Sequence, residues 1–384
     1  MKTVLKTFVL CCTLLAITAC NAKNKTPKIA YKIAEETHPK PNKQYIKVAL
    51  LLDTSNSMDG LIDQAKAQLW DIVNELSYAK CVTGKPNLKI ALYEYGNDRL
   101  NADEGYIRQV LGFSEDLDDI SKELFSLTTN GGNEYCGQVI QTAINQLQWG
   151  KNPDDLKLIF IAGNEPFTQG NISYKHASVN ALENDITVNT IFCGDYNQGI
   201  SSYWKDGADA ARGNYMAINH NKATVHIDSP YDDAILQLNI KLNKTYIGYG
   251  KRGKHKKEIQ AAQDTNASGY SKANAVSRSV SKSSHLYKNT DWDLVDAVLE
   301  EVVVVEELDK NDLPDTLKHK TTAELKHYIS ELQIEREHIK KEIQTLNAKR
   351  KVYISEKQSE TENGLENAMT KAIKNQAKKK KYTW

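Results

Sequence analysis

The sequence predicts an α/β protein: a mainly parallel six-stranded sheet flanked by helices on both faces in a Rossmann-like arrangement, followed by a C-terminal α-helical or coiled-coil region. Three observations predict it. Short apolar runs alternate with segments whose apolar residues recur every three or four positions. The 384 residues exceed what one core organises, about 250 to 300. A late segment, 321–354, keeps an apolar seam over about four heptads.

The strand candidates are 46–53, 88–95, 106–112, 156–162, 187–193 and 214–219. Helical spacing occupies 60–78, 116–127, 137–149, 173–185, 202–211 and 230–242. Strands separated by helices require crossover connections, hence parallel pairing and a sheet covered on both sides. This domain spans 45–249. In such open sheets ligands bind beyond the carboxyl ends of the strands, near the point where strand order reverses.

The chain begins with a segment of different character. Residues 1–20 carry Lys2 and Lys6, an apolar stretch from Phe8 to Ile17 and small residues up to Cys20. That is a secretory signal, too short for a membrane span. Ile17-Thr18-Ala19-Cys20 resembles a bacterial lipobox, which implies lipidation of Cys20 and residence in the bacterial cell envelope, lipid-anchored on the outer-membrane, periplasmic or surface side. Residues 21–44, with three prolines and few apolar side chains, read as a flexible tether. The formal charge is +1, and loss of Lys2 and Lys6 with an acid-free segment takes it to −1. No nucleic-acid or polyanion role follows from a balance so near zero.

The chemistry centres on "VALLLDTSNSMDG", residues 48–60. A buried strand ends at Asp53, and Ser55 and Ser57 follow at alternate positions. Carboxylate and hydroxyl oxygens around one point suit a hard divalent cation, Mg²⁺ or else Mn²⁺ or Ca²⁺. An ion held by so few carboxylates stays short of negative charge, so it binds an acidic side chain of a partner. The same residues would equally serve as turn and helix caps.

In this context the segment resembles the von Willebrand factor type A (vWA) domain, whose metal-ion-dependent adhesion site opens with Asp-x-Ser-x-Ser at the end of the first strand. Here that is Asp53-Thr54-Ser55-Asn56-Ser57, with Met58 and Gly60 following. The resemblance covers about 45–245 and implies direct ligation by Ser55 and Ser57 and ligation through water by Asp53. Two other parts depart from the family. Its Gly-Gly-Thr loop reads "TTNGGNEYCGQ", with Asn133 in the threonine's place, and Thr128, Thr129 or Glu134 as substitutes. Its Thr-Asp-Gly reads Ala162-Gly163-Asn164, with Glu165 next. Either Glu134 and Glu165 restore the missing ligands and a divalent ion binds, or the metal is lost and the crevice is a metal-independent scaffold surface for envelope assembly.

Cysteine usage fits export. Cys11 and Cys12 fall within the signal and Cys20 is the lipid site, which leaves Cys81, Cys136 and Cys193. Cys136 and Cys193 fall at the same carboxyl-end side of the sheet, so a Cys136–Cys193 disulfide is the expected pairing, with two buried thiols as the alternative.

Beyond Tyr249, residues 250–288 are basic and then rich in Ser, Ala and Asn, which reads as a linker or loosely packed helical extension. Residues 289–384 form the helical region with a basic tail. Within it, Trp292, Leu294 and Val295 anchor to the preceding domain, and Val302 to Val305 suit strand or helix. The seam of 321–354 runs through Leu325, Ile329, Leu332, Ile339, Ile343, Leu346 and Tyr353 with Arg336 and Arg350 on the same stripe. It serves self-association or, since arginines weaken a self-pairing core, packing on its own chain. "KNQAKKKKYTW" reads as a solvated tail.

Nucleophile elbow, phosphate loop and His-Glu-x-x-His motifs are all missing, and His220, His226 and His327 are scattered. The function expected is therefore protein binding rather than catalysis, with metal-dependent hydrolysis as the remote alternative.

Overall fold

The computed structural model describes residues 43–222, 227–357 and 364–384. The expectations on the signal segment, Cys20, most of the tether and His226 lie outside the described residues.

Six strands form one sheet: β1 (Tyr45–Asp53), β2 (Asn87–Tyr95), β3 (Ile107–Ser114), β4 (Leu156–Gly163), β5 (Thr187–Cys193) and β6 (Tyr215–Ile218), in the order β3-β2-β1-β4-β5-β6. All pairings are parallel except β2 with β3, at the edge. β1 is apolar at consecutive positions because both of its faces are covered. Val48, Leu50 and Leu52 face one core with Leu61, Trp70 and Val73 of α1 (Asp59–Leu76) and Ile120 and Leu124 of α2 (Leu117–Ser126). Ala49 and Leu51 face a second core with Val139, Ile140 and Ala143 of α3 (Cys136–Gln146) and Ala177 and Ala181 of α4 (Tyr174–Glu183). Two short helices, α5 (Tyr196–Ser201) and α6 (Trp204–Ala210), join β5 to β6.

The order of strands reverses beside β1, so the crevice expected for ligands opens at the carboxyl end of β1, where Asp53 is in register with Tyr95 and Leu52 with Ala162.

After the sheet come α7 (Asp232–Lys244), α8 (Gly250–Tyr270) and α9 (Lys272–Lys282). Residues 250–270 and 272–282 are thus helical, as the helical alternative expected, but α9 is not loosely packed: Ala273 to Lys282 are all buried. Small side chains let α9 approach α1 closely, where Asn274 Nδ2 donates to Ala67 O at 2.6 Å and Ser277 Oγ to Asp71 Oδ1 at 2.5 Å. Charge pairing replaces apolar bulk. Arg278 sits 2.7 Å from Asp118 Oδ1 and 2.5 Å from Asp264 Oδ1, with its guanidinium over the Trp70 ring.

α10 (Leu294–Leu299) leads into a loop in which Val302 to Val305 form neither strand nor long helix; Val302 and Val304 are exposed. Trp292, Leu294 and Val295 are buried, as expected of anchors. In α11 (Thr322–Lys357) the seam turns inward onto its own chain. Ile339 and Ile343 join the core that covers α1, and Leu325, Ile329 and Leu332 pack with Leu294 and Val295. α12 (Leu365–Ala377) lies beside α1, and the tail beyond it is docked rather than solvated. Tyr382 is buried and donates to Tyr45 O at 3.1 Å, while Lys80 N donates to Thr383 O at 2.8 Å. Among the described residues no helix is long and apolar enough to cross a membrane.

Candidate metal and partner-binding site

The five candidate ligands come from three segments. Asp53 ends β1, and Ser55 and Ser57 occupy the turn into α1. Glu134 lies in the loop before α3, and Glu165 in the loop after β4. These segments are tied together by backbone bonds, as Asn130 N donates to Thr54 O at 2.9 Å and Thr54 N to Tyr95 O at 2.8 Å.

Asp53 is fully buried; its Oδ1 accepts from Ser55 N at 2.8 Å and its Oδ2 has no hydrogen-bond partner. A buried carboxylate oxygen without a donor is costly unless something positive meets it. The Ser55 and Ser57 hydroxyls stand 3.4 Å apart, close enough to share one small cation. Asn164 Nδ2 donates to Ser57 Oγ at 3.1 Å, which orients that hydroxyl.

Glu134 is 5% exposed, and Gly96 packs against both it and Asp53. A Cβ at Gly96 would lie 2.8 Å from Glu134 Cγ and 2.9 Å from Asp53 Oδ1, and Gly96 has φ +78°, so only glycine lets the two acids approach. Gln169 spans the remaining acids: its Oε1 accepts from Glu134 N and its Nε2 donates to Glu165 Oε2, both at 3.3 Å. Trp204 Nε1 holds Glu165 O at 2.8 Å.

The electrostatics follow from burial. Desolvation pushes Asp53 up to about 8; the Glu134 and Glu165 charges add to it, against hydrogen bonds from Ser55. Desolvation, then the Glu165 charge, pushes Glu134 up to about 7. Burial and mutual charge thus keep both carboxyls protonated up to near neutrality, an arrangement that a nearby cation would relieve. Among the described residues no three His, Cys, Asp or Glu converge to hold an ion by themselves. Buried carboxylate, paired hydroxyls and adjacent glutamates fit a hard divalent ion.

Residues 47–223 match the family model of the von Willebrand factor type A domain. This part of the chain is a vWA domain. Its sheet, mostly parallel and flanked by helices, has the vWA fold, and such domains generally serve protein interaction or adhesion. No curated protein matches the chain. Among solved structures it is similar to proximal thread matrix protein 1 from the mussel byssus, at 14% identity and TM-score 0.34 over 45% of this chain and 42% of that one. It is also similar to BatB of Bacteroides thetaiotaomicron, at 17% identity and TM-score 0.35 over 45% and 90%. A third is an aerotolerance-related membrane protein of Bacteroides fragilis, at 16% identity and TM-score 0.32 over 46% and 93%. The chain thus spans less than half the length of the mussel protein.

Against the vWA pattern, the two substitutions have physical causes. At the end of β4, a Cβ on Gly163 would lie 2.6 Å from Tyr95 Oη and 3.0 Å from Asp53 Oδ2, so Tyr95 fills the space of the family's aspartate. In the loop before α3, Asn133 is exposed while Glu134 turns inward. Thr128 is exposed, and Thr129 Oγ1 donates to Asp59 Oδ1.

Sequence reasoning missed Tyr95, Gly96 and Gln169. Tyr95 and Gly96 follow from strand register, and Gln169 sits in an irregular loop without periodicity. His220 lies near Ser57 with Nδ1 buried and unpartnered, and burial lowers its pKa. His327 is exposed on α11.

The disulfide expected between Cys136 and Cys193 is not formed: both are buried, free thiols. The two share one end of the sheet but opposite faces. Cys193 packs with Ile191 in the α1 core, whereas Cys136 opens α3 and packs in the other. Cys81 is also free.

Proposed function

We propose that this protein binds another protein at the carboxyl-end face of its vWA domain through a divalent ion, Mg²⁺ or else Mn²⁺ or Ca²⁺, held by Ser55, Ser57 and Asp53 with Glu134 and Glu165 beside them. The unpartnered buried oxygen of Asp53, next to two hydroxyls 3.4 Å apart, carries the reading. When bound, the ion supplies a positive centre at the surface that accepts an oxygen ligand from the partner. Ser57, exposed and oriented by Asn164, lies on the partner side. Asp53 sets the charge from beneath.

On this reading the chain is an adhesion or scaffold module of the bacterial cell envelope, attached through a lipid on Cys20, and not an enzyme. The N-terminal motif supports the attachment, and the matched domain's general role supports binding over catalysis.

Calorimetric titration of the purified protein with Mg²⁺ and Mn²⁺ tests it. Saturable heat that Asp53→Ala removes is the expected result. Equal traces for both proteins would favour the metal-independent scaffold.

A further inference from the structure

We infer that the loop after α10 is a second interaction surface, which takes an extended, basic and apolar segment of a partner protein by adding it as a strand along Val302 to Val304. The surface lies away from Asp53. Val302 and Glu300 line a groove together with Lys43 and Lys89, on the amino-terminal side of β1 and β2.

Backbone conformation is the first argument. Val302 to Val305 are consecutive residues of a type much favoured in strands, yet they lie outside the sheet. Val304 is extended, at φ −96° and ψ 119°. Val302 and Val304 are 61% and 51% exposed, whereas Val303 and Val305 pack with Leu294 and Val295, which is the alternation of a strand with one face covered. Among the described residues the Val302 and Val303 carbonyls and the Val304 N–H make no hydrogen bond. Strand addition uses an extended edge of this kind.

Charge decides the occupant. Glu300, Glu301, Glu306, Glu307 and Asp309 flank the valines, all of them exposed, and no base stands between 300 and 309. Glu301 is held at φ +56°, the left-handed position after a helix that glycine ordinarily takes, so an acid is kept there against backbone strain. Bases near the loop are engaged: Lys326 with Glu306, Arg252 with Asp291 and Lys288 with Glu115. Two copies of this loop paired edge to edge would set like charges against one another, which disfavours a second copy as the occupant. A partner strand with apolar residues beside Val302 and Val304, and lysines or arginines toward the flanking acids, meets no such opposition.

Fluorescence anisotropy of the purified protein with a labelled peptide of alternating lysine and valine tests this, against a lysine–glycine peptide of the same charge and a glutamate–valine peptide. The lysine–valine peptide is expected to bind, and each control to bind more weakly by about tenfold or more. Val304→Pro removes the N–H without changing the charge and is expected to weaken the lysine–valine peptide to a similar degree. Val302→Ser combined with Val304→Ser is expected to do the same by removing the apolar contact. Circular dichroism and the melting temperature establish that each variant is folded. Hydrogen exchange at the Val304 amide of the wild type is expected to slow when the lysine–valine peptide is added, a readout that needs no variant. Absence of binding, equal binding of the lysine–valine and lysine–glycine peptides, or unchanged exchange at Val304 would overturn the inference. Sedimentation in which the wild type dimerises and Val304→Pro does not would give the surface to a second copy and overturn it too.

Discussion

Tyr95 occupies the room that position 163 would need for a side chain: Tyr95 Oη lies 2.6 Å from a Cβ built on Gly163 and donates to Ala162 O at 3.0 Å. The substitution in the fourth strand and the tyrosine in the second are therefore one structural choice. Gly163→Asp, which restores the vWA pattern, is expected to destabilise the protein by about 1 to 3 kcal/mol through overpacking. In a Tyr95→Phe background the same change costs about 1 kcal/mol less. Urea unfolding of the four proteins measures the coupling; strict additivity contradicts the account.

Arg336 of α11 places Nη1 2.6 Å from Asp293 Oδ2 and 2.5 Å from Asp296 Oδ1, and its Nη2 donates to Thr245 O at 2.5 Å. Arg336→Met leaves both acids buried without their cation, and we expect a loss of about 3 to 5 kcal/mol in denaturant unfolding. Lys326→Met, which removes an exposed pair with Glu306, should leave the unfolding midpoint nearly unchanged.

Glu366, at the start of α12, has its pKa raised from 4.5 to about 7 by burial and by Asp71 and Glu75 of α1, against Lys374 of its own helix. The folded chain thus keeps a proton that the unfolded chain releases above pH 4.5. This group's contribution is fully favourable below that pH and is lost as pH rises to about 7, a change of about 3 kcal/mol. Glu366→Gln should flatten this part of the stability profile, as read from urea midpoints between pH 4.5 and 8. An unchanged slope would mean that Glu366 is not the responsible group.

Mg²⁺ should raise the melting temperature, since a ligand at about 100 times its Kd stabilises by about 2.7 kcal/mol. Asp53→Asn should gain nothing from Mg²⁺ and yet melt no lower than wild type without metal, because it removes a buried charge while keeping the acceptor for Ser55 N. A variant that melts well below wild type without metal would assign Asp53 a structural role instead.

The fold was legible because its signals are local: β1 is apolar without a break from Val48 to Leu52, and α1 and α11 keep helical spacing. Asp53, Ser55 and Ser57 were legible for the same reason, being contiguous with the strand end. Glu134 and Glu165 were reached through the rule that loops at carboxyl ends converge. Tyr95 was not, since its role depends on its register with Asp53 across two strands. Nor was the packing of α9, whose burial rests on small side chains and on Arg278 meeting Asp118, 160 residues away in sequence. The disulfide failed on parity: sharing an end of the sheet does not place two side chains on one face.

The most direct test of a divalent ion bound among Asp53, Ser55, Ser57 and Glu134 is the anomalous scattering of crystals of the protein soaked in Mn²⁺. One peak within about 2.5 Å of the Ser55 and Ser57 hydroxyl oxygens, lost in Asp53→Ala, is the expected result. No peak at the end of β1, or a peak elsewhere on the molecule, would contradict it.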